Sequence, residues 1–474
     1  MELTGQHFGG AALTLAVIVG IGIWSGRRVK NAADFTTGGR RATPLLVMGT
    51  ITGTLVGGSA TIGTAQLAFN FGLSAWWFTL GSGIACLILA LYFVNPLRAT
   101  GSDTIQQMIS KVYGSAAGVV TSILGTLGLL INIISQLLSF IAVITSVTKA
   151  EPLVGALLGV TLMLCYVVFG GVLGAGILGV VKLTLLYIAV GTGGMMALRL
   201  SGGWQAIYAT LPHASYFNLF ARGFTLDAGA GLSLVLGVLS TQTYVQAVLS
   251  ARDDASARRG ALLSALIIPP IGIFCILIGE YMAMVYPQLN PALALPMFVL
   301  QQFPPLAAGV ILATLLIAVT GTGAGLALGF ATTLTNNIYL KYINKQASSR
   351  ITLVVMRLLI IIALGGAVFF TMGNLRSVIL AWGFLSMALR GAVLFIPLCA
   401  ALFVKERVAP PFVIASSVIG LATVVVGEFI FPPYLDSLFM GVLAAAVTVG
   451  LGMARQGNKP QTPTPGASAR RPQV

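Results

Sequence analysis

The chain is short of charge. Asp, Glu, Lys and Arg make up 8% of its 474 residues, where a soluble domain carries roughly 25%. Acids are the scarcest, 11 in all, and only 2 residues are histidine. No span holds the paired carboxylates or histidines that acid–base chemistry needs, which argues against a membrane enzyme. Cysteine is sparse too. Cys86, Cys165, Cys275 and Cys399 show no paired spacing and read as small apolar fillers, so neither a disulfide framework nor a bound metal is implied. His7 and His213 both fall on the predicted outer side, which excludes a buried histidine relay.

What is abundant is apolar sequence: 57% hydrophobic residues and a mean hydropathy of +0.97. Runs of bilayer-crossing length predict about 13 spans, near 7–26, 44–70, 74–96, 114–147, 152–170, 174–198, 228–250, 260–286, 304–335, 351–371, 376–404, 411–430 and 437–454. The expectation is an all-α polytopic membrane protein, one transporter domain over 1–454, with a polar, Pro-rich and disordered tail over 455–474. Arg27, Arg28 and Lys30 follow the first span and no cleavage site is evident, so it reads as a retained span with the N-terminus outside and the C-terminus in the cytoplasm. Alternation from there puts nineteen basic residues inside, Arg40, Arg98, Arg252 and Lys341 among them, against Lys149, Arg199, Arg222 and Arg376 outside. The net charge of +15 then belongs to a face on anionic lipid, not to nucleic-acid binding. The location this implies is the cell membrane, and no obligate protein partner is evident.

One apolar span contradicts its own surroundings. In GTLVGGSATIGTAQLAFNFGLSAWWF, from Gly53 to Phe78, the run Gly57-Gly58-Ser59 breaks a membrane helix near mid-depth. Unwound backbone in hydrocarbon leaves polar groups unsatisfied, so a break survives only where it is buried in protein or lines a watery cavity. The 228–250 span carries a matching interruption at Ser240-Thr241-Gln242-Thr243-Tyr244. Leaving the first span aside, each break opens a set of five spans. Odd sets run in opposite orientation, the pattern of an inverted repeat around a central site.

Several segments, in order, resemble the sodium:solute symporter family: ADFTTGGR (33–40), the stretch GLSAWWFTLGSG through to KVYG (72–114), YVVFGGVLGAGILGVVK (166–182), TQTYVQAVLSARDDASARRG (241–260) and GVILATLLIAVTGTGAGLALGFATTLTNNIY (309–339). The resemblance implies a LeuT-like five-plus-five inverted repeat over about 44–404, with one extra N-terminal and two extra C-terminal helices. It implies alternating-access import of a small polar or anionic solute with cation coupling. The family's sodium site maps onto the carbonyls of Gly53, Val56 and Ala318 and onto two hydroxyl positions, Gly321 and Thr322. No other cofactor is implied.

The chain departs from that pattern twice. Gly321 lacks the hydroxyl, either because Gly321, Gly325 and Gly329 form a close-packing stripe or because the ion chemistry has changed. Leu178-Gly179 stands where the family often has a threonine–aspartate pair, and Lys182 where it has a glutamine. Lys182 lies about 12 Å into its span at 1.5 Å per residue. Either it snorkels to the inner surface, or its ammonium takes the place of the sodium ion, locked or cycling with protonation. Na⁺ and H⁺ are thus both open as coupling ion. Arg390 is a second intramembrane cation, to be paired with helix carbonyls, water or an anionic solute.

Polar residues at mid-depth supply the solute-pocket candidates: Ser59, Thr61 and Gln66 on the first broken span, Gln136 in the Asn132–Gln136–Ser139 stripe, and Thr241, Gln242 and Tyr244 on the second. Gln242 and Tyr244 match family positions near the site. Trp382 is placed to cover it from outside. A proton-coupled or uncoupled carrier is the alternative within transport; a sensor that binds without translocating is the alternative outside it.

Overall fold

A backbone crossing hydrocarbon must satisfy its own hydrogen bonds, and this chain does so with helices. The computed structural model describes residues 4–26, 40–148, 150–167, 172–431 and 435–457, and among these there is no strand. The principal helices are α1 Gly5–Gly26, α2 Pro44–Leu55, α3 Thr64–Phe71, α4 Trp77–Ile88, α5 Ser115–Thr148, α6 Pro152–Val167, α7 Val172–Leu200, α8 Phe224–Leu239, α9 Gln242–Leu249 and α10 Asp254–Val285. They continue with α11 Pro305–Leu334, α12 Ser349–Met372, α13 Ile379–Val404, α14 Pro410–Ile430 and α15 Ser437–Gly457. A helix or a broken pair occupies every predicted stretch. Among the described residues nine helices are long and apolar enough to cross a membrane, or ten with α8 and α9 taken together, and α2 and α6 are shorter.

Both interruptions fall where the sequence puts them. The helix α2 stops at Leu55, three residues pass, and a π-turn over Ser59–Gly63 leads into α3. α8 and α9 meet at a 45° bend across Ser240-Thr241. Gly72, at φ +46°, turns the chain from α3 toward α4, a left-handed conformation that favours glycine. α15 runs on to Gly457, so Arg455 is helical and not part of a disordered tail; the rest of the tail lies outside the described residues. So do Gly170-Gly171 and most of the 33–40 motif.

Burial sorts the helices into centre and rim. Windows of α5 and of the α11 span are each 78% buried, whereas α12 is 22% buried and turns Leu358, Ile361, Ile362 and Phe369 outward. A helix apolar all round with one exposed side suits a lipid-facing position. One end of the bundle carries the ion pairs Arg40–Asp103, Arg98–Asp254 and Arg252–Asp253. At this Arg-rich face the two broken helices are tied: Ala42 N donates to Ser250 O at 3.0 Å and Arg252 N to Ala42 O at 3.1 Å.

The contact that positions the centre is α7 against α2. A Cβ on Gly179 would lie 1.9 Å from Gly49 O, and one on Gly49 would lie 2.3 Å from Gly176 O. The two backbones therefore touch, and glycine alone permits it. Gly179→Ala should lower the thermal unfolding midpoint by an amount equivalent to more than the ~1–3 kcal/mol of ordinary overpacking. Gly365→Ala, whose Cβ would meet nothing within 4 Å, should not lower it. Equal midpoints for the two variants, read in detergent, would contradict the close approach.

Candidate ion and solute site

Where α2 ends, its last carbonyls lose their helical donors. Val56 N still reaches Thr52 O at 2.8 Å, but Gly53 O accepts from elsewhere. Lys182 Nζ, brought in by the α7–α2 contact, donates to it at 2.6 Å. The same ammonium donates to Ala318 O and to Thr322 Oγ1, each at 2.9 Å, on α11. Thr322 Oγ1 is also 3.4 Å from Gly53 O. Three donors meet three acceptors, and Lys182 is 4% exposed. It does not snorkel.

Magnitudes favour this seat. Insertion scales put an intramembrane lysine at ~2.5–3.5 kcal/mol, and hydrogen bonds from a charged group are worth about 1.5–3 kcal/mol each. Of the five sodium-site equivalents, Gly53, Ala318 and Thr322 converge on Nζ; Val56 and Gly321 make no hydrogen bond to it. A Cβ on Gly321 would lie 3.2 Å from the Tyr166 ring and hydroxyl, while Gly325 and Gly329 face the methyls of Thr54 and Thr243 at 3.5 and 3.6 Å. Among the described residues no helix backbone is the nearest neighbour at any of these three glycines, which speaks against a close-packing stripe. Tyr166 fills the space toward which a side chain at 321 would point.

Beside the ammonium, the unwound turn rests on α5. Cβ atoms on Gly57 and Gly58 would lie 2.6 Å from Gln136 Oε1 and 2.3 Å from Ser139. Gly58 N donates to Gln136 Oε1 at 2.9 Å, and Gln136 Nε2 reaches Ser59 Oγ at 3.2 Å and Asn132 Oδ1 at 3.3 Å. Ser59 Oγ bonds Ser135 Oγ at 2.8 Å, and Ser135 Oγ reaches Ile379 O at 2.9 Å. Ile379 N donates to Gln66 Oε1 at 2.8 Å, so the first residue of α13 is held on both sides. Thr61 Oγ1 donates to Gly57 O at 2.9 Å. Sequence reasoning missed Ser135 and Tyr166. Ser135 was legible as a neighbour of the polar stripe; nothing in the spacing pointed to Tyr166.

The second group of candidates gathers elsewhere, around the α8–α9 bend. Arg390 is 1% exposed and finds its partners within the protein: Thr241 Oγ1 at 2.7 Å, Ser386 O at 3.1 Å, Ser386 Oγ at 2.9 Å and Met387 Sδ at 3.1 Å. No carboxylate pairs with it among the described residues. Gln242 turns to the Arg-rich face, accepting from Ile105 N and donating to Asp103 O, both at 2.9 Å. Tyr244 is fully buried. Trp382 Nε1 donates to Ser377 Oγ at 2.7 Å at the far face. There, a cavity of about 440 Å³ lined by Leu138, Thr145, Asn290, Arg376 and Ser377 is floored by Ile379. Another, of about 340 Å³, opens at the Arg-rich face beside Arg40, Arg98 and Asp254.

Two broken membrane helices, one of them tied by a buried ammonium, with cavities on opposite faces, fit a secondary transporter. The sequence model of the sodium:solute symporter family matches residues 35–420, and the chain belongs to that family. The high-affinity choline transporter 1 of Torpedo marmorata is 26% identical over 82% of this chain and 71% of its own length. Its human counterpart is 28% identical over 56% of this chain, and the matched part spans about half of that protein. The osmoregulated proline transporter OpuE of Bacillus subtilis is 22% identical over 90% of this chain and 92% of its own. In fold, the chain is similar to a Na⁺-coupled sialic acid symporter in a substrate-bound outward-open state. That structure gives a TM-score of 0.77 at 18% identity, covering 96% of this chain and 98% of that one.

The buried Arg390 cluster carries a prediction of its own. Arg390→Ala should destabilise the protein by about 2–5 kcal/mol, the cost of truncating a large, fully buried side chain. Arg390→Lys should recover only part of this, because an ammonium cannot reproduce the guanidinium fork. Thermal unfolding in detergent measures both; a wild-type midpoint in Arg390→Ala would contradict the assigned contacts.

Proposed function

We propose that the protein is a carrier for a small polar or anionic solute in which the Lys182 ammonium stands at the position expected for the family's sodium ion, so that transport does not require Na⁺. The observation that carries this reading is the contact of Nζ with Gly53 O, Ala318 O and Thr322 Oγ1, at 2.6, 2.9 and 2.9 Å. A sodium ion sharing those oxygens would sit some 3 Å from the ammonium, where two unit charges repel by about 5 kcal/mol at an effective dielectric of 20. The ion and the protonated lysine exclude one another.

Sodium arrives and leaves whole, whereas a lysine can change only by a proton. Cycling between ammonium and amine would loosen and remake the tie between α2 and α11, which gives proton coupling a physical route. If the proton never leaves, the site is a fixed lock and the carrier is uncoupled. The described site holds a cation and no carboxylate, which favours a neutral or anionic solute over a cation of the choline type. Ser59, Gln136 and Ser135 are the polar groups available to meet it. The Arg-rich face is assigned to the cytoplasm of a cell-membrane protein by the positive-inside rule.

Uptake into proteoliposomes of a panel of radiolabelled carboxylates, amino acids and choline, with and without Na⁺, tests the reading. The transported solute should enter equally well in sodium-free buffer, and strict Na⁺ dependence would sink the proposal. Lys182→Gln should lower uptake by at least about tenfold, the worth of one charge-assisted bond, or make it respond to added cation. Unchanged uptake and ion response would remove Lys182 from the mechanism.

A further inference from the structure

We propose that Glu280 is a proton-binding site, holding a proton at neutral pH in the folded protein. The residue lies on α10, five residues from the end at Val285. At 1.5 Å per residue that is about 7.5 Å below the far end of the helix. Its side chain is fully buried, and among the described residues no hydrogen-bond donor reaches either carboxylate oxygen. It is also a group for which the lysine-centred site has no use.

The surroundings offer an ionised carboxylate nothing. A Cβ on the adjacent Gly279 would lie 2.5 Å from Ala65 O, so α10 is pressed directly onto α3 at this level. One turn away, Leu277 clusters with Ile207 and Leu211, and the Tyr281 ring packs edge-on against Phe298 at 5.5 Å. Among the described residues, the titratable groups on the elements packed against α10 are Cys86, Tyr92, Arg98, Lys182, Tyr187, Arg199, Tyr208 and Tyr244, and no hydrogen bond or ion pair joins any of them to Glu280. Lys182 is committed to α2 and α11. Tyr216, at the end of the short helix His213–Tyr216, is within electrostatic reach, but its hydroxyl donates to Phe69 O at 2.7 Å. An uncompensated buried carboxylate costs several kcal/mol, so the group binds a proton instead.

Its place gives the proton a consequence. α10 packs against α2, α3 and α7, the helices that carry Gly53, the outer half of the break and Lys182. Loss of the proton would put a bare charge into the α10–α3 contact and favour opening of that contact to water from the far face. This role in transport rests on the sodium-free reading above; the protonation itself does not.

Infrared difference spectroscopy on the full-length protein in liposomes, wild type against Glu280→Gln at neutral pH, tests the site without sodium or solute. The expected result is a protonated-carboxyl stretch in the wild type that is lost in the variant. A difference spectrum with no such band would overturn the proposal. So would a wild-type unfolding midpoint raised by Na⁺ or K⁺ but not so raised in Glu280→Gln, since a metal cation would then be the occupant. Should Glu280→Gln fail to fold, the wild type alone decides: the carboxyl band must be present and shift in D₂O, and its absence refutes the site. Sodium-dependent uptake, which would refute the Lys182 reading, would leave the band in place, so the two failures are distinguishable.

Discussion

The centre of this protein depends on one ammonium group shared between two helices. Lys182 Nζ joins Gly53 on α2 to Ala318 and Thr322 on α11. Three conditions make the contact possible. Glycines at 49, 176 and 179 let α7 and α2 touch backbone to backbone, which sets the lysine at the right height. The break after Leu55 leaves a carbonyl unclaimed by its own helix. α11 presents a carbonyl and a hydroxyl one turn apart. Remove any one of these and a buried charge is left short of partners, at a cost of several kcal/mol.

Much of this was legible in the sequence because membrane burial makes polar residues conspicuous. The breaks at Gly57-Gly58 and Ser240-Thr241 stood out as backbone that hydrocarbon would not tolerate. Lys182 stood out as a cation at depth, and helical rise put it at about the depth expected of the ion site. What could not be read was the partner of each polar side chain. Gln242 matches a family position near the site, yet its amide clamps the backbone of Asp103 and Ile105 at the Arg-rich face. Arg390 offered the same ambiguity, resolved by Thr241 and Ser386. Spacing along one helix fixes a face, while the identity of the neighbour depends on how the helices cross. Tyr166 against Gly321 is of that kind.

Polar ties at both ends of the bundle suggest how the centre connects to the two faces. On the Arg-rich face, Arg98 donates to Val248 O and Ala251 O, capping α9, and pairs with Asp254. At the far face, the buried Asp227 carboxylate accepts from Ser74 Oγ at 2.7 Å and pairs with Arg222, whose guanidinium lies over the Phe384 ring of α13. Between them, Ser59, Gln136, Ser135 and Ile379 form a closed polar layer below the far cavity. A solute able to replace those hydrogen bonds would open the layer at little energetic cost, which is how binding can select one conformation over another.

Equilibrium binding of radiolabelled sodium to the purified protein tests the central claim most directly, because it needs no knowledge of the solute. If the ammonium occupies the ion's place, wild-type protein shows no saturable sodium binding at neutral pH. Saturable binding with Lys182 intact would contradict the account.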